Sequence, residues 1–148
     1  MTVDDQIRGL RIAAATVIAF GPLTMLAAWP PTALPIALFA DILFWPLDGV
    51  QTMALQDARL LAAICGGGFV GWGLMMWLLA GAPYRAAPVA MRRIFLISVM
   101  GWFVIDGIGS VLAGAPLNVA ANIGFLALFL WPLRREVQST VGDAATTV

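Results

Sequence analysis

The chain has 148 residues, of which 61% are hydrophobic and only 11% are charged, and eight arginines balance eight acidic residues to a net charge of zero. A soluble domain is nearer half apolar and a quarter charged. The composition therefore excludes a soluble enzyme, a disordered tail and a nucleic-acid binder, and it predicts an integral membrane protein. The absence of histidine and the single cysteine, Cys65, lead us to expect no metal and no cofactor.

Four apolar runs are long enough to cross a bilayer core, which takes about 20 residues of helix. Each run ends at prolines, glycines or arginines. They predict an all-α bundle of four transmembrane helices within one membrane domain, 1–148, with spans at about 9–29, 60–80, 94–113 and 117–133. The first eleven residues carry two acids and two arginines, which is unlike a signal peptide, so we expect a retained span. The tail 134–148 is small and polar.

A fifth apolar segment separates the first two runs, and arginine placement indicates that it does not cross. This segment carries Pro35 and Pro46, and a re-entrant or interfacial helix is expected at about 32–53 within an outer segment 30–58. If the segment does not cross, seven of the eight arginines share one side, and only Arg59 lies opposite. The positive-inside rule favours that arrangement. We therefore predict a multi-pass protein of the bacterial inner membrane with both termini cytoplasmic. A crossing of 32–47 is the alternative.

The ionisable residue inside a predicted span is Asp106, and such a residue is a functional hypothesis because burying a charge is costly. Ser110 lies one helical turn beyond it. Asn118 and Asn122 are four residues apart near the same end of the fourth span. A short turn through Gly114 joins the two spans, so these four polar side chains are expected to converge at similar depth.

Two further charged residues are expected beside this cluster. Arg59 opens the second span at the outer surface, where its side chain could reach Asp106, and Asp41 lies on the outer segment. Together these residues predict a polar ligand-binding pocket in the outer half, covered by 30–58 like a lid. The alternative is that Asp106 only links helices through hydrogen bonds to Asn122 and Arg59, each contributing about 1 kcal/mol or less.

Glycines of the second span form the other clear pattern. Gly67 and Gly71 have the four-residue spacing of small residues that lets helices approach closely, and Gly68 lies beside them. We expect these three glycines to pack against a helix within the bundle. The alternative is that they form the contact with a membrane-protein partner or with a second copy in a homo-oligomer.

The chain resembles the DoxX-like group of small four-span bacterial membrane proteins over roughly residues 55–133. The resemblance rests on Ala58-Arg59-Leu60 opening the second span, on the glycine-rich stretch that follows, and on the turn Leu112-Ala113-Gly114-Ala115-Pro116. It implies a four-span fold and, since members often accompany redox proteins, an accessory role.

Three functions are predicted in descending order. The first is a non-enzymatic accessory or scaffold subunit of a membrane assembly, since the sequence has no catalytic residue set and almost no extramembrane part. The second is a small transporter or ligand-binding protein that uses the pocket around Asp106. The third is a membrane enzyme acting on lipid or quinone, with Asp41 and Asp106 as acid and base.

Overall fold

The computed structural model describes residues 1–134, and every regular element in that part of the chain is helical. The α-helices are α1 (Val3–Met25), α2 (Leu34–Phe44), α3 (Gln56–Leu79), α4 (Ala82–Ala86), α5 (Pro88–Leu112) and α6 (Pro116–Leu133). Two 3₁₀ turns, Leu26–Ala28 and Pro30–Thr32, connect α1 to α2. The predicted tail lies outside the described residues apart from Arg134.

Four of these helices, α1, α3, α5 and α6, are long and apolar enough to cross a membrane, which confirms a small polytopic membrane protein. The segment between α1 and α3 contains the shorter apolar helix α2. Its 11 residues extend about 16 Å at 1.5 Å per residue, about half the thickness of a bilayer core. The all-α architecture, with a short apolar helix between the first two spans, is therefore as predicted.

The helices begin a few residues before the predicted apolar runs, because capping and proline chemistry decide where a helix starts. Thr2 caps α1: its hydroxyl accepts from the Asp5 amide at 3.1 Å, and the Asp5 carboxylate accepts from the Thr2 amide at 2.9 Å. Pro88 and Pro116 occupy the first turns of α5 and α6, where a missing N–H costs nothing.

The tightest helix contact joins α1 and α3, which run antiparallel. A Cβ atom added at Gly66 would lie 2.6 Å from the Gly21 carbonyl oxygen, and one added at Gly73 would lie 3.1 Å from that of Ala14. Only glycine permits this backbone approach. Because Met25 meets Gly66, the segment 26–55 leaves and re-enters the bundle at one end, which we call the α2 end.

The opposite end carries Arg8, Arg11, Arg85, Arg92, Arg93 and Arg134, and we call it the arginine end. Tyr84 of α4 is fully buried there, and its hydroxyl donates to the Gln6 side-chain oxygen at 2.9 Å. Arg92 Nε donates to the Leu133 carbonyl at 2.9 Å, which ties α5 to the end of α6. Burial raises the pKa of the Tyr84 hydroxyl above its usual 10.0, and the charge of Arg92 opposes that shift.

Candidate functional site

A cluster of three polar side chains lies between α5 and α6 near the α2 end. Asn118 Nδ2 donates to the Asp106 carboxyl at 3.1 Å and to the Ser110 hydroxyl at 2.8 Å. The Ser110 hydroxyl lies 3.0 Å from the same carboxyl oxygen and 2.7 Å from the Asp106 backbone carbonyl. Gly114 makes this convergence possible, since its φ of 79° turns the chain directly from α5 into α6.

A cavity of about 240 Å³ lies beside the cluster, inside the bundle and beneath α2. Asp106, Asn118 and Asn122 form its polar wall, and Ile36 and Phe39 of α2 lie against it at the α2 end. An apolar cavity of about 150 Å³ in another protein is large enough to bind benzene. This cavity therefore has room for a larger ring-containing molecule.

Aromatic rings from all four long helices form much of the rest of the cavity wall. The Phe20 ring of α1 makes edge contacts with Phe39, Phe69 and Phe125 at centroid distances of 5.7, 6.2 and 5.3 Å. Edge contacts of this kind are favourable and hold ring orientation. Much of the cavity wall thus consists of rings whose orientation is held by neighbouring rings.

Two tryptophans connect α3 and α5, whose backbones otherwise approach each other little. The Trp72 and Trp102 ring centroids are 5.7 Å apart, and Trp72 also stacks on Phe129 at 6.2 Å. All three rings line the cavity on its side toward the arginine end. The Trp72–Trp102 contact therefore bounds the cavity on that side.

Asn122 has an unsatisfied hydrogen-bond donor on the cavity wall. The residue is 5% exposed, and its Nδ2 atom has no hydrogen-bond partner among residues 1–134. A buried donor without an acceptor costs about 1–3 kcal/mol. Because Asn122 lines the cavity, a bound molecule with an acceptor oxygen would remove that cost.

The two other charged residues predicted for the pocket lie elsewhere. The buried carboxyl of Asp41 accepts from the Gly49 amide at 3.1 Å through both oxygens, so it closes the loop after α2 and does not line the cavity. Arg59 is half-buried in the first turn of α3, and within residues 1–134 it makes no ion pair with Asp106. The acid–base pair of Asp41 and Asp106 is therefore not assembled.

The predicted packing glycines face outward. A Cβ atom added at Gly67, Gly68 or Gly71 would meet nothing within 4 Å, so these three residues do not pack against any other part of residues 1–134. Gly66 and Gly73 make the close contacts instead, because their seven-residue spacing puts both on the α1 side of α3. Contact of the outward glycines with a partner or a second copy stays a prediction.

Sequence reasoning missed most of the cavity wall, above all Phe20, Phe69 and Phe125. In an apolar span these rings have no distinguishing pattern, since lipid-facing and inward residues are equally hydrophobic. The one sequence signal for Trp72 and Trp102 is that both tryptophans lie far from the span ends, where membrane proteins usually place them. Among residues 1–134, no three Cys, Asp or Glu side chains lie close enough to hold a metal ion.

No family model, no curated protein and no solved structure matches the chain. The fold alone therefore defines the class of this protein, which is a small all-α membrane protein with four candidate spans.

Proposed function

We propose that this protein binds a small, ring-containing apolar molecule that carries a hydrogen-bond acceptor oxygen, in the cavity between α1, α3, α5 and α6. The observation that carries the proposal is Asn122, which lines an aromatic cavity and whose buried Nδ2 atom has no partner among the described residues. Ligand sites are mostly apolar with a few placed polar groups, and this cavity has that composition.

Each wall of the cavity would recognise a different part of such a molecule. The rings around Phe20 would contact its apolar face, and Asn122 would donate to its carbonyl or ether oxygen. Asp106 is already held by Ser110 and Asn118, so its orientation is set before a ligand arrives. A ligand that also carries a hydroxyl donor would gain a further hydrogen bond to that carboxyl.

The experiment compares 1-tetralone with tetralin, two bicyclic molecules that differ in one carbonyl group. Calorimetric titration of the purified protein in detergent should show tighter binding of tetralone. Asn122→Leu should weaken tetralone binding about tenfold, the effect of about 1.4 kcal/mol, and leave tetralin binding unchanged. Equal loss for both molecules would contradict the role of the amide.

A matched pair of alanines tests the location of binding. Ala121 lines the cavity, whereas its neighbour Ala120 is exposed on α6. Ala121→Phe should fill the cavity and abolish saturable binding of both molecules, and Ala120→Phe should leave binding intact. Binding that survives Ala121→Phe would be partitioning into the micelle and would overturn the proposal.

An accessory role is the second candidate, and the outward glycines of α3 favour it. Gly67, Gly68 and Gly71 form a small-residue surface open to another helix, of the kind that lets helices approach closely in membranes. The resemblance to the DoxX-like group supports the same role. Gly71→Leu should then remove a chain that co-purifies stoichiometrically in mild detergent.

Gly101→Leu is the control for that experiment, because Gly101 is exposed on α5 and an added Cβ there also meets nothing within 4 Å. Equal co-purification in both variants would exclude the α3 surface. A membrane enzyme acting on lipid or quinone is the third proposal; it would use Asp106 without Asp41.

The positive-inside rule supports an orientation with the arginine end in the cytoplasm. Six of the seven arginines among residues 1–134 lie there, and only Arg59 lies at the α2 end. Both described chain ends, Met1 and Arg134, would then be cytoplasmic, and the cavity would lie in the outer half of a bacterial inner membrane. A maleimide that cannot cross membranes should label a cysteine placed at Asp48 in intact cells and should not label one placed at Arg93.

A further inference from the structure

A groove of about 620 Å³ runs along the outside of the arginine end, separate from the aromatic cavity. Its polar part consists of the guanidinium groups of Arg8 and Arg11 on α1 and of Arg85 on α4, together with the carboxylate of Asp4. Its apolar part consists of Ile12, Ala15 and Trp77, which continue from Arg11 along the membrane-spanning part of α1 and α3.

Arg11 occupies the centre of this groove and is held in place from two sides. Its guanidinium carbon lies 5.3 Å from the centre of the Trp77 ring, and its terminal nitrogen lies against Gly81, where an added Cβ would approach to 3.2 Å. Its Nε atom is buried and has no hydrogen-bond partner among residues 1–134. The side chain is therefore held in one orientation, and one of its donors is left unsatisfied by the described residues.

The charge of the groove is positive, because the acidic residues that residues 1–134 place at this end, Asp4 and Asp5, are already engaged. Asp4 Oδ1 pairs with Arg85 at 2.7 Å. The Asp5 carboxylate outside the groove accepts from the amide and the hydroxyl of Thr2. Three guanidinium groups thus face one acid within the groove, and planar guanidinium forks suit phosphate oxygens.

We infer that this groove binds an anionic phospholipid, with the phosphate between Arg8, Arg11 and Arg85 and one acyl chain along Ile12, Ala15 and Trp77. The apolar half of the groove favours a lipid over free phosphate, because inorganic phosphate would leave that surface uncovered. Ile12 is 58% exposed and Trp77 is 38% exposed, so both are available to an acyl chain. The inference does not depend on the function proposed for the cavity.

Native mass spectrometry of the detergent-purified chain tests the inference with dioleoyl phosphatidylglycerol and dioleoyl phosphatidylcholine as probes. We expect one phosphatidylglycerol to be retained in preference to phosphatidylcholine. Arg11→Gln should weaken phosphatidylglycerol binding about tenfold, the loss expected for one charge-assisted hydrogen bond. Arg11→Lys should restore part of it, since the charge returns without the fork.

Arg93→Gln is the matched control, because Arg93 is exposed at the same end and does not line the groove. It should leave phosphatidylglycerol binding within twofold of the native chain. An equal loss in Arg93→Gln and Arg11→Gln would mean diffuse attraction and would overturn the site. If Arg11→Gln does not fold, Arg8→Gln and Arg85→Gln, both at exposed positions, take its place with the same expectation.

Two further measurements separate the lipid from other sources of phosphate. Asp4→Asn should strengthen phosphatidylglycerol binding, because it removes the acid that competes for Arg85. Millimolar inorganic phosphate should not displace the lipid. Displacement by inorganic phosphate would replace the lipid site with a simple anion site, and unchanged binding in every arginine variant would exclude both.

Discussion

Two buried side-chain amides, one toward each end of the bundle, differ in whether their polar atoms have hydrogen-bond partners. Gln6 at the arginine end is fully buried, and its carbonyl oxygen accepts from the equally buried Tyr84 hydroxyl at 2.9 Å. Asn122 toward the α2 end is 5% exposed, and its Nδ2 atom has no partner among the described residues. The first amide links helices, whereas the second lines a cavity.

This difference is our basis for assigning one amide to the fold and the other to the proposed binding. A satisfied hydrogen bond such as Tyr84–Gln6 contributes about 1 kcal/mol, whereas an unsatisfied donor costs more than that. A chain that retains an unsatisfied donor beside an aromatic cavity gives up stability at that position. Binding of a ligand with an acceptor oxygen would restore that stability. Binding sites commonly lower the stability of the ligand-free protein in this way.

The largest expected effect on the free energy of unfolding concerns the contact between α1 and α3, two helices that connect the two ends of the bundle. Gly66→Leu should lower the free energy of unfolding by at least about 3 kcal/mol, because even its Cβ atom would meet the Gly21 carbonyl oxygen at 2.6 Å. Unfolding by SDS titration in mixed micelles measures this change. Gly68→Leu is the control and should leave the stability of the monomer unchanged, since nothing lies within 4 Å of its Cβ position.

Asn122→Leu tests the comparison most directly, because it should stabilise the ligand-free protein. We expect the free energy of unfolding to rise by about 2 kcal/mol, since the change removes an unsatisfied buried donor. Asn118→Leu is the control and should destabilise, since it removes hydrogen bonds to Asp106 and Ser110. If Asn122→Leu lowers stability, the amide has a structural partner and the two ends do not differ.

How much of this arrangement could be predicted depends on the range of the interactions. The four long helices follow from local hydrophobicity, and the start of α1 follows from the Thr2–Asp5 spacing. The meeting of Asp106 with Asn118 follows from the short turn at Gly114, because two helices joined so closely must be antiparallel neighbours. These features depend on residues near one another in the chain.

The remaining features depend on contacts between distant segments. Asp41 was expected to face Asp106, but its carboxyl binds the Gly49 amide, a backbone donor that no sequence pattern shows. Gly67 and Gly71 were chosen for their spacing, yet Gly66 and Gly73 contact α1. Packing of the whole bundle decides which side of α3 meets α1. Because α3 is almost uniformly hydrophobic, its sequence does not show which side faces inward.

At the arginine end, Tyr84→Phe should show the opposite sign to Asn122→Leu. Loss of the hydroxyl should lower the free energy of unfolding by about 1 kcal/mol, because it removes the hydrogen bond to Gln6 in a fully buried place. The same SDS titration measures it. No change in stability would mean that the Gln6 amide is satisfied without Tyr84, and the arginine end would then not depend on this link.

Stability at alkaline pH gives a second measure of the same link. Since burial raises the pKa of Tyr84 above 10.0, the folded protein holds its proton more tightly than the unfolded chain. This contribution is fully present below pH 10 and is lost as pH rises through the folded pKa. The free energy of unfolding, measured from pH 8 to 11.5, should fall above about pH 10 in the native chain and should fall less in Tyr84→Phe.

The smallest effect is expected for the ion pair that closes the arginine end at the surface. Arg85 and Asp4 are 2.7 Å apart, but their side chains are 58% and 72% exposed, so solvent screens their attraction. Arg85→Gln should therefore change the free energy of unfolding by less than about 0.5 kcal/mol. A loss as large as that of Tyr84→Phe would show that α4 is held through its surface charge rather than through the buried hydroxyl. The arginine end would then be stabilised by salt-sensitive contacts. Raising the ionic strength should in that case lower the free energy of unfolding of the native chain and leave that of Arg85→Gln unchanged.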